Sequence, residues 1–136
     1  MKETNWFTKY ILIGTLLIFA SACHTIQYTA RYDVKSKDSI NSQRQTAEKF
    51  INRLADKYDL TEDKKYNNTD TLGYYGDPYH YFKFTFDNKG LTNGTITLDY
   101  WGMSSRKNRY KEFLTTLTDS IQTNFILLKQ DIKETK

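Results

Sequence analysis

The chain is poor in the residues from which most sites are built. Among its 136 residues it has one cysteine, one proline and two histidines. A single cysteine, Cys23, excludes an intramolecular disulfide. Zinc needs three or four ligands from His, Cys or carboxylate, and His24 and His80 stand far apart with no paired spacing. Asp70, Asp77 and Asp87 have asparagines nearby, but the ligand spacing of an EF-hand loop is missing. There is no G-x-S-x-G, no H-E-x-x-H and no phosphate-cradling glycine loop. The sequence thus points to no metal, no cofactor and no assignable catalytic residue. No repeat or low-complexity segment occurs. The 20 basic and 16 acidic residues are interspersed. A nucleic-acid binder would show a basic stripe or a recognisable motif, and neither is present.

What the chain does have is an apolar run and many aromatic rings. Tyr10–Ala20 is apolar apart from Gly14 and Thr15 and follows a head carrying Lys2, Glu3 and Lys9. The run is too short for a spanning helix, which takes about 20 apolar residues. A positive head, a short apolar run and then the small residues Ala20, Ser21 and Ala22 form the layout of a secretory signal. Cys23 comes next. Ala20–Cys23 resembles the lipobox of bacterial lipoproteins, departing from it at Ala20, where leucine is commonest.

That resemblance covers residues 1–23 only. It implies that residues 1–22 are a signal peptide and that Cys23 is diacylated before the signal is removed. The lipid bilayer is then a partner through Cys23, and the thiol left without a disulfide has a use. Each buried CH₂ contributes ~0.8 kcal/mol, and two or three acyl chains make release negligible. His24 stands where enterobacterial lipoproteins retained at the inner membrane carry Asp. By that resemblance the protein is expected at the outer membrane, facing the periplasm.

The mature chain, residues 23–136, carries 18 basic and 15 acidic residues. It suits one domain with one core, stable without disulfides. Thr25–Val34 alternates strictly, with Ile26, Tyr28, Ala30, Tyr32 and Val34 on one parity. Period two fits a half-buried strand, and an extended tether behind the lipidated cysteine is the competing reading for residues 23–38. Ala47, Phe50, Ile51, Leu54, Ala55 and Tyr58 make the apolar stripe of a helix. Ser42 with Gln45 resembles its capping box, and Asp38 and Ser39 are rival caps. Leu60 is expected to close the helix.

Thr69–Tyr75 reads as a short strand and Gly76–Pro78 as a turn. Tyr79–Asp87 and Thr95–Trp101 read as a hairpin around the glycine- and asparagine-rich loop 88–94. His80, Phe82, Phe84 and Phe86 should line the same core as Ile96, Leu98 and Tyr100. Gly102–Ser105 leads into a C-terminal helix, with Ser104 or Ser105 as its cap. Its stripe, from Tyr110 and Phe113 through Ile121, Phe125 and Leu128 to Ile132, predicts a long helix. A break near Thr123 with a last strand Phe125–Lys129 competes, and Lys133–Lys136 is expected to fray. The sum is an α+β fold. Residues 39–136 form a small two-layer domain, an antiparallel sheet of about three to four strands packed on two helices.

Two surfaces are binding candidates. Tyr79, Tyr81 and Trp101 predict an aromatic strip on the face opposite the phenylalanines, joined by Tyr74 or Tyr75, neighbours that cannot both face inward in a strand; the five suit a protein or glycan of the cell envelope. A second layer of core over that face is the alternative. Arg106, Lys107 and Arg109 open the C-terminal helix, where free N–H groups and basic side chains can hold an anion; the plain alternative is a solvated helix start. The favoured function is a non-enzymatic envelope-binding domain. A structural subunit of an envelope complex, and a small hydrolase using His80 with a carboxylate, are the alternatives.

Overall fold

In the computed structural model, residues 24–37, 43–76 and 80–135 are described. They form strand β1 (Thr25–Ser36), helix α1 (Gln43–Lys57), and strands β2 (Thr61–Glu62), β3 (Thr71–Gly76), β4 (His80–Asn88) and β5 (Asn93–Met103). A 3₁₀ turn (Ser104–Arg106), helix α2 (Lys107–Asn124) and strand β6 (Phe125–Thr135) follow. All strands join one antiparallel sheet in the order β2-β3-β4-β5-β1-β6. The β5–α2–β6 connection passes over β1, a split βαβ arrangement.

The alternation in Thr25–Val34 is therefore a strand, and an interior one. Tyr28, Ala30, Tyr32 and Val34 are buried beneath the helices, between the pairings of β1 with β5 and β6. The hairpin parity is as expected, with His80, Phe82, Phe84 and Phe86 buried on β4 and Ile96, Leu98 and Tyr100 on β5. Helix α1 buries Ala47, Phe50, Ile51, Leu54 and Ala55. It ends in a left-handed residue, Asp59 at φ 52°, and the Leu60 N–H returns to the Ala55 carbonyl at 2.8 Å. This is a Schellman closure, which tucks Leu60 against the core.

Six strands replace the expected three to four. Two-residue β2 leaves no periodic signal. Strand β6 is the competing reading of the C-terminal stripe, extended past Lys129 to Thr135; Phe125–Leu128 is four consecutive apolar residues, which fit a helical or a strand period equally. Helix α2 stops at Asn124, where the Phe125 N–H bonds back to Ile121. Thr115, Thr116, Thr118, Ser120 and Thr123 each return a hydroxyl to the carbonyl four residues back. Such bonds weaken a helix interior, while burial of Phe125 against Phe50 rewards the strand. The expected fraying after Lys133 does not occur through Thr135, which pairs with Gln27. Ser104 and Ser105 are not caps either. They lie inside the 3₁₀ turn, and neither it nor α2 has a side-chain cap bond. Asp38, Ser39, Ser42, Asp77 and Pro78 lie outside the described residues.

Both helices lie on one face of the sheet, and three of the buried tyrosine hydroxyls are satisfied at the helix surfaces. Tyr32 meets Thr118 at 2.9 Å, Tyr58 meets Thr116 at 3.0 Å, and Tyr74 donates to Asn52 at 2.6 Å. At the end of the sheet near Asn88, Gln43 donates to the Thr92 carbonyl at 2.7 Å. Gly94 makes room for it: a Cβ there would overlap Gln43 Oε1 and come within 2.9 Å of the Asp87 carbonyl. Gly94→Ala should lower stability by about 1–3 kcal/mol, the usual range for overpacking. Urea unfolding checks this, and an unchanged midpoint would contradict it.

Candidate functional site

The chemistry-bearing residues gather at the opposite end of the sheet, where β1 begins. On the core face, Gly76 of β3 pairs with His80 of β4, and Gly102 of β5 pairs with Ile26 of β1. One step beyond the last β4–β5 pair, Tyr81 with Trp101, His80 comes level with Gly102. The imidazole thus stands between two positions without side chains. A Cβ on Gly102 would overlap the Tyr100 hydroxyl, and one on Gly76 would lie 2.8 Å from Leu60 Cδ2. Gly102 leaves the space in which Tyr100 reaches His80, and Gly76 leaves the space that Leu60 fills.

His80 is 6% exposed. Its Nδ1 lies 2.5 Å from Tyr100 Oη, and its Nε2 is buried with no partner among the described residues. Burial first, then the charges of Arg106 and Arg109, push the imidazole below its ordinary range, so it is neutral at pH 7. Burial and then Tyr28 raise the Tyr100 phenol to about 12. Protonated phenol is the better donor of the pair, so Nδ1 accepts and Nε2 keeps the proton.

Two hollows flank the ring. The inner one, about 210 Å³, lies between sheet and helices and is lined by Tyr58, Asp59, Leu60, Phe82, Arg109 and Phe113 along with Gly76, His80 and Tyr110. The outer one, about 420 Å³, opens beside Thr25, Tyr81, Trp101, Gly102 and Met103. Arg109 donates to the Tyr58 carbonyl at 3.2 Å, at the C-terminal end of α1, where carbonyls lack helical partners.

The expected aromatic strip is realised in part. Tyr75, Tyr81 and Trp101 form one cross-strand row on the outer face, and the Tyr81 and Trp101 centroids are 5.8 Å apart. Tyr66, from the loop after β2, meets the other side of Tyr81 edge-on at 6.2 Å. Neither helix covers this face; the loop carrying Asp63 and Tyr66 lies over it at Gly73 of β3. The next row is polar: Lys83, Asp99 and Thr29, with Thr29 donating to Asp99 at 2.8 Å. Tyr74 must be removed from the strip. Its neighbour Tyr75 takes the outer face, so strand alternation turns Tyr74 into the core, where it is 3% exposed. Tyr79 and Cys23 lie outside the described residues.

The three basic residues do not converge as a helix-start anion site. Arg109 turns to α1, whereas Lys107 lies beside Tyr28, whose hydroxyl, followed by the charge of Glu134, pushes its ammonium up. A step of about 100° turns Lys107 away from Arg106, whereas Arg106 and Arg109, three apart, both act on His80. Among the described residues no carboxylate hydrogen-bonds His80. Tyr100 is its hydrogen-bond partner, and the charges that perturb it are those of two arginines. Gly76, Gly102, Tyr100 and Tyr110 were not singled out from the sequence. The signal was the placement of glycines on the core parity at strand ends, which has meaning only once the register is known.

No protein-family model and no curated protein matches the chain. Among solved structures, the open form of the exocytosis-sensitive phosphoprotein pp63/parafusin, a phosphoglucomutase from Paramecium, is similar at 15% identity and a TM-score of 0.40. The match covers 72% of this chain and 21% of that one, so the chain spans about a fifth of that protein's length. A likeness at this level carries no argument about activity.

Proposed function

We propose that this chain is a lipid-anchored protein of the bacterial cell envelope whose domain is a binding module. Residues 1–22 are its signal peptide, Cys23 is its acylated residue, and the outer membrane facing the periplasm is its location. The module meets a protein or glycan partner through the outer-face row Tyr75, Tyr81 and Trp101. The observation that supports a binding role is the sheet face that neither helix covers: both helices pack on the other side, and this side carries an aromatic row beside a polar one.

The start of β1 limits where the partner can be. The strand begins at Thr25, and the Ser104 N–H bonds to the His24 carbonyl at 2.7 Å. Two residues span at most about 7 Å, so an acylated Cys23 holds this end of the sheet near the headgroups. Tyr81, Trp101 and the outer hollow are at that same end. Tyr and Trp suit the membrane–water boundary, where an apolar ring carries a polar tip. The partner is therefore one that itself lies at the membrane surface.

Recovery of partners from detergent-solubilised membranes tests the reading. The Tyr81→Ala/Trp101→Ala double variant should fold, because both side chains are only half-buried on the outer face, and should recover at least tenfold less partner. Equal recovery by wild type and variant would show that this face is not the interface. Nuclease-, protease- and glycosidase-treated eluates separate a protein partner from a glycan.

A further inference from the structure

We infer that the inner hollow beside His80 is a binding site for a small organic carboxylate with an apolar body. Four observations lead there. His80 lines the hollow, and its Nε2, the protonated nitrogen when Tyr100 donates to Nδ1, is buried without a partner among the described residues. A buried N–H left unpaired costs free energy that a ligand acceptor would recover. Tyr110 Oη, in the same lining, is also buried and unpartnered. Arg109 lines the hollow and uses one nitrogen on the Tyr58 carbonyl, and neither it nor Arg106 forms an ion pair with a carboxylate of the described residues.

The fourth is shape. Gly76 keeps the hollow open, and Leu60, Phe82 and Phe113 supply apolar walls. At about 210 Å³ it is smaller than a drug-sized pocket of roughly 300–1,000 Å³. It takes a benzoate-sized molecule. The carboxylate would accept from His80 Nε2 and Arg109, and the ring would lie among Leu60, Phe82 and Phe113. Asp59, the one carboxylate in the lining, is exposed and marks the rim. The site does not depend on the lipid anchor and stands whether or not Cys23 is acylated.

The groups facing His80 determine its response. They are Tyr100 on β5, Arg106 in the 3₁₀ turn, Arg109 and Tyr110 on α2, and Asp59 at the end of α1. With the hollow free of ligand, burial and the two arginines disfavour the imidazolium. A bound carboxylate reverses that sign and raises the His80 midpoint, so binding strengthens as pH falls through the imidazole range.

The test is a benzoate titration of the detergent-solubilised full chain, followed by imidazole ¹H–¹⁵N correlation spectra. With only two histidines, His24 is the internal control. Benzoate should shift His80 Nε2 and raise its midpoint, while His24 stays put. Benzamide, of the same shape without the charge, should do neither. Inorganic phosphate should act at least tenfold more weakly than benzoate. Arg109→Gln should weaken benzoate about tenfold, the effect of losing one charge-assisted hydrogen bond at 1.4 kcal/mol per decade. The inference is overturned by an unresponsive His80, by benzamide or phosphate matching benzoate, or by unaltered affinity in Arg109→Gln. His80→Gln, which keeps a polar head at that position, should also lose benzoate binding, and retained binding there counts against the site.

Discussion

Replacing Phe113 by Ala should lower the unfolding free energy by about 3–5 kcal/mol, the range for deleting a buried phenyl ring. Phe113 is 1% exposed and packs on strand β4 and on the residue that follows α1. Its centroid lies 4.5 Å from Phe82, 6.4 Å from Phe84 and 5.2 Å from Tyr58. It is the ring through which α2 holds both the hairpin and the end of α1. Small domains are stable by roughly 5–15 kcal/mol, so a loss of this size leaves a marginal fold. Urea unfolding followed by Trp101 fluorescence gives the number directly. A change below about 1 kcal/mol would mean the ring's surroundings collapse to refill the space, and the packing account would be wrong.

Cys23→Ala should have the largest functional effect: the protein should leave the membrane fraction. The apolar run Tyr10–Ala20 is about half the length that spans a bilayer, and no helix of the described residues is long and apolar enough to cross one. In the proposed account, retention rests on acyl chains at ~0.8 kcal/mol per buried CH₂, where one chain holds reversibly and two or more hold firmly. Membrane fractionation with and without high salt is the measurement. If Cys23→Ala protein stays fully bound and uncleaved, the run is a signal anchor and the domain does not begin at Cys23.

The strands and the first helix were legible where a pattern has only one solution. His80 to Phe86 alternates with Tyr81, Lys83 and Thr85, and no helix accommodates that period. The stripe from Ala47 to Tyr58 has no strand reading. Phe125–Leu128 was ambiguous because an unbroken apolar run carries no period; its outcome was decided by the burial of Phe125 and by β1 needing a second neighbour. Tyr74 and Tyr75 posed a sharper limit. Alternation says that one faces inward, but which one depends on the pairing of Tyr75 with Tyr81, a fact about another strand.

The site was legible as residues and not as an arrangement. His80, Tyr81, Trp101 and Arg109 could each be picked out by type. That Gly76 and Gly102 flank the imidazole, and that Tyr100 rather than a carboxylate reaches it, follows from cross-strand register. The same register brings the aromatic row to the end of the sheet that begins at Thr25. The face that neither helix covers and the cysteine two residues upstream of β1 thereby become parts of one account, a proposed membrane-held module that binds beside the surface to which it is attached.

Mass spectrometry of the N-terminal tryptic peptide of the protein isolated from its host's membranes tests that account most directly. The account predicts a peptide running from Cys23 to Arg31, heavier than its sequence by a diacylglyceryl group, with or without a further acyl chain on the amine. An unmodified Cys23, or a chain still carrying residues 1–22, would contradict it.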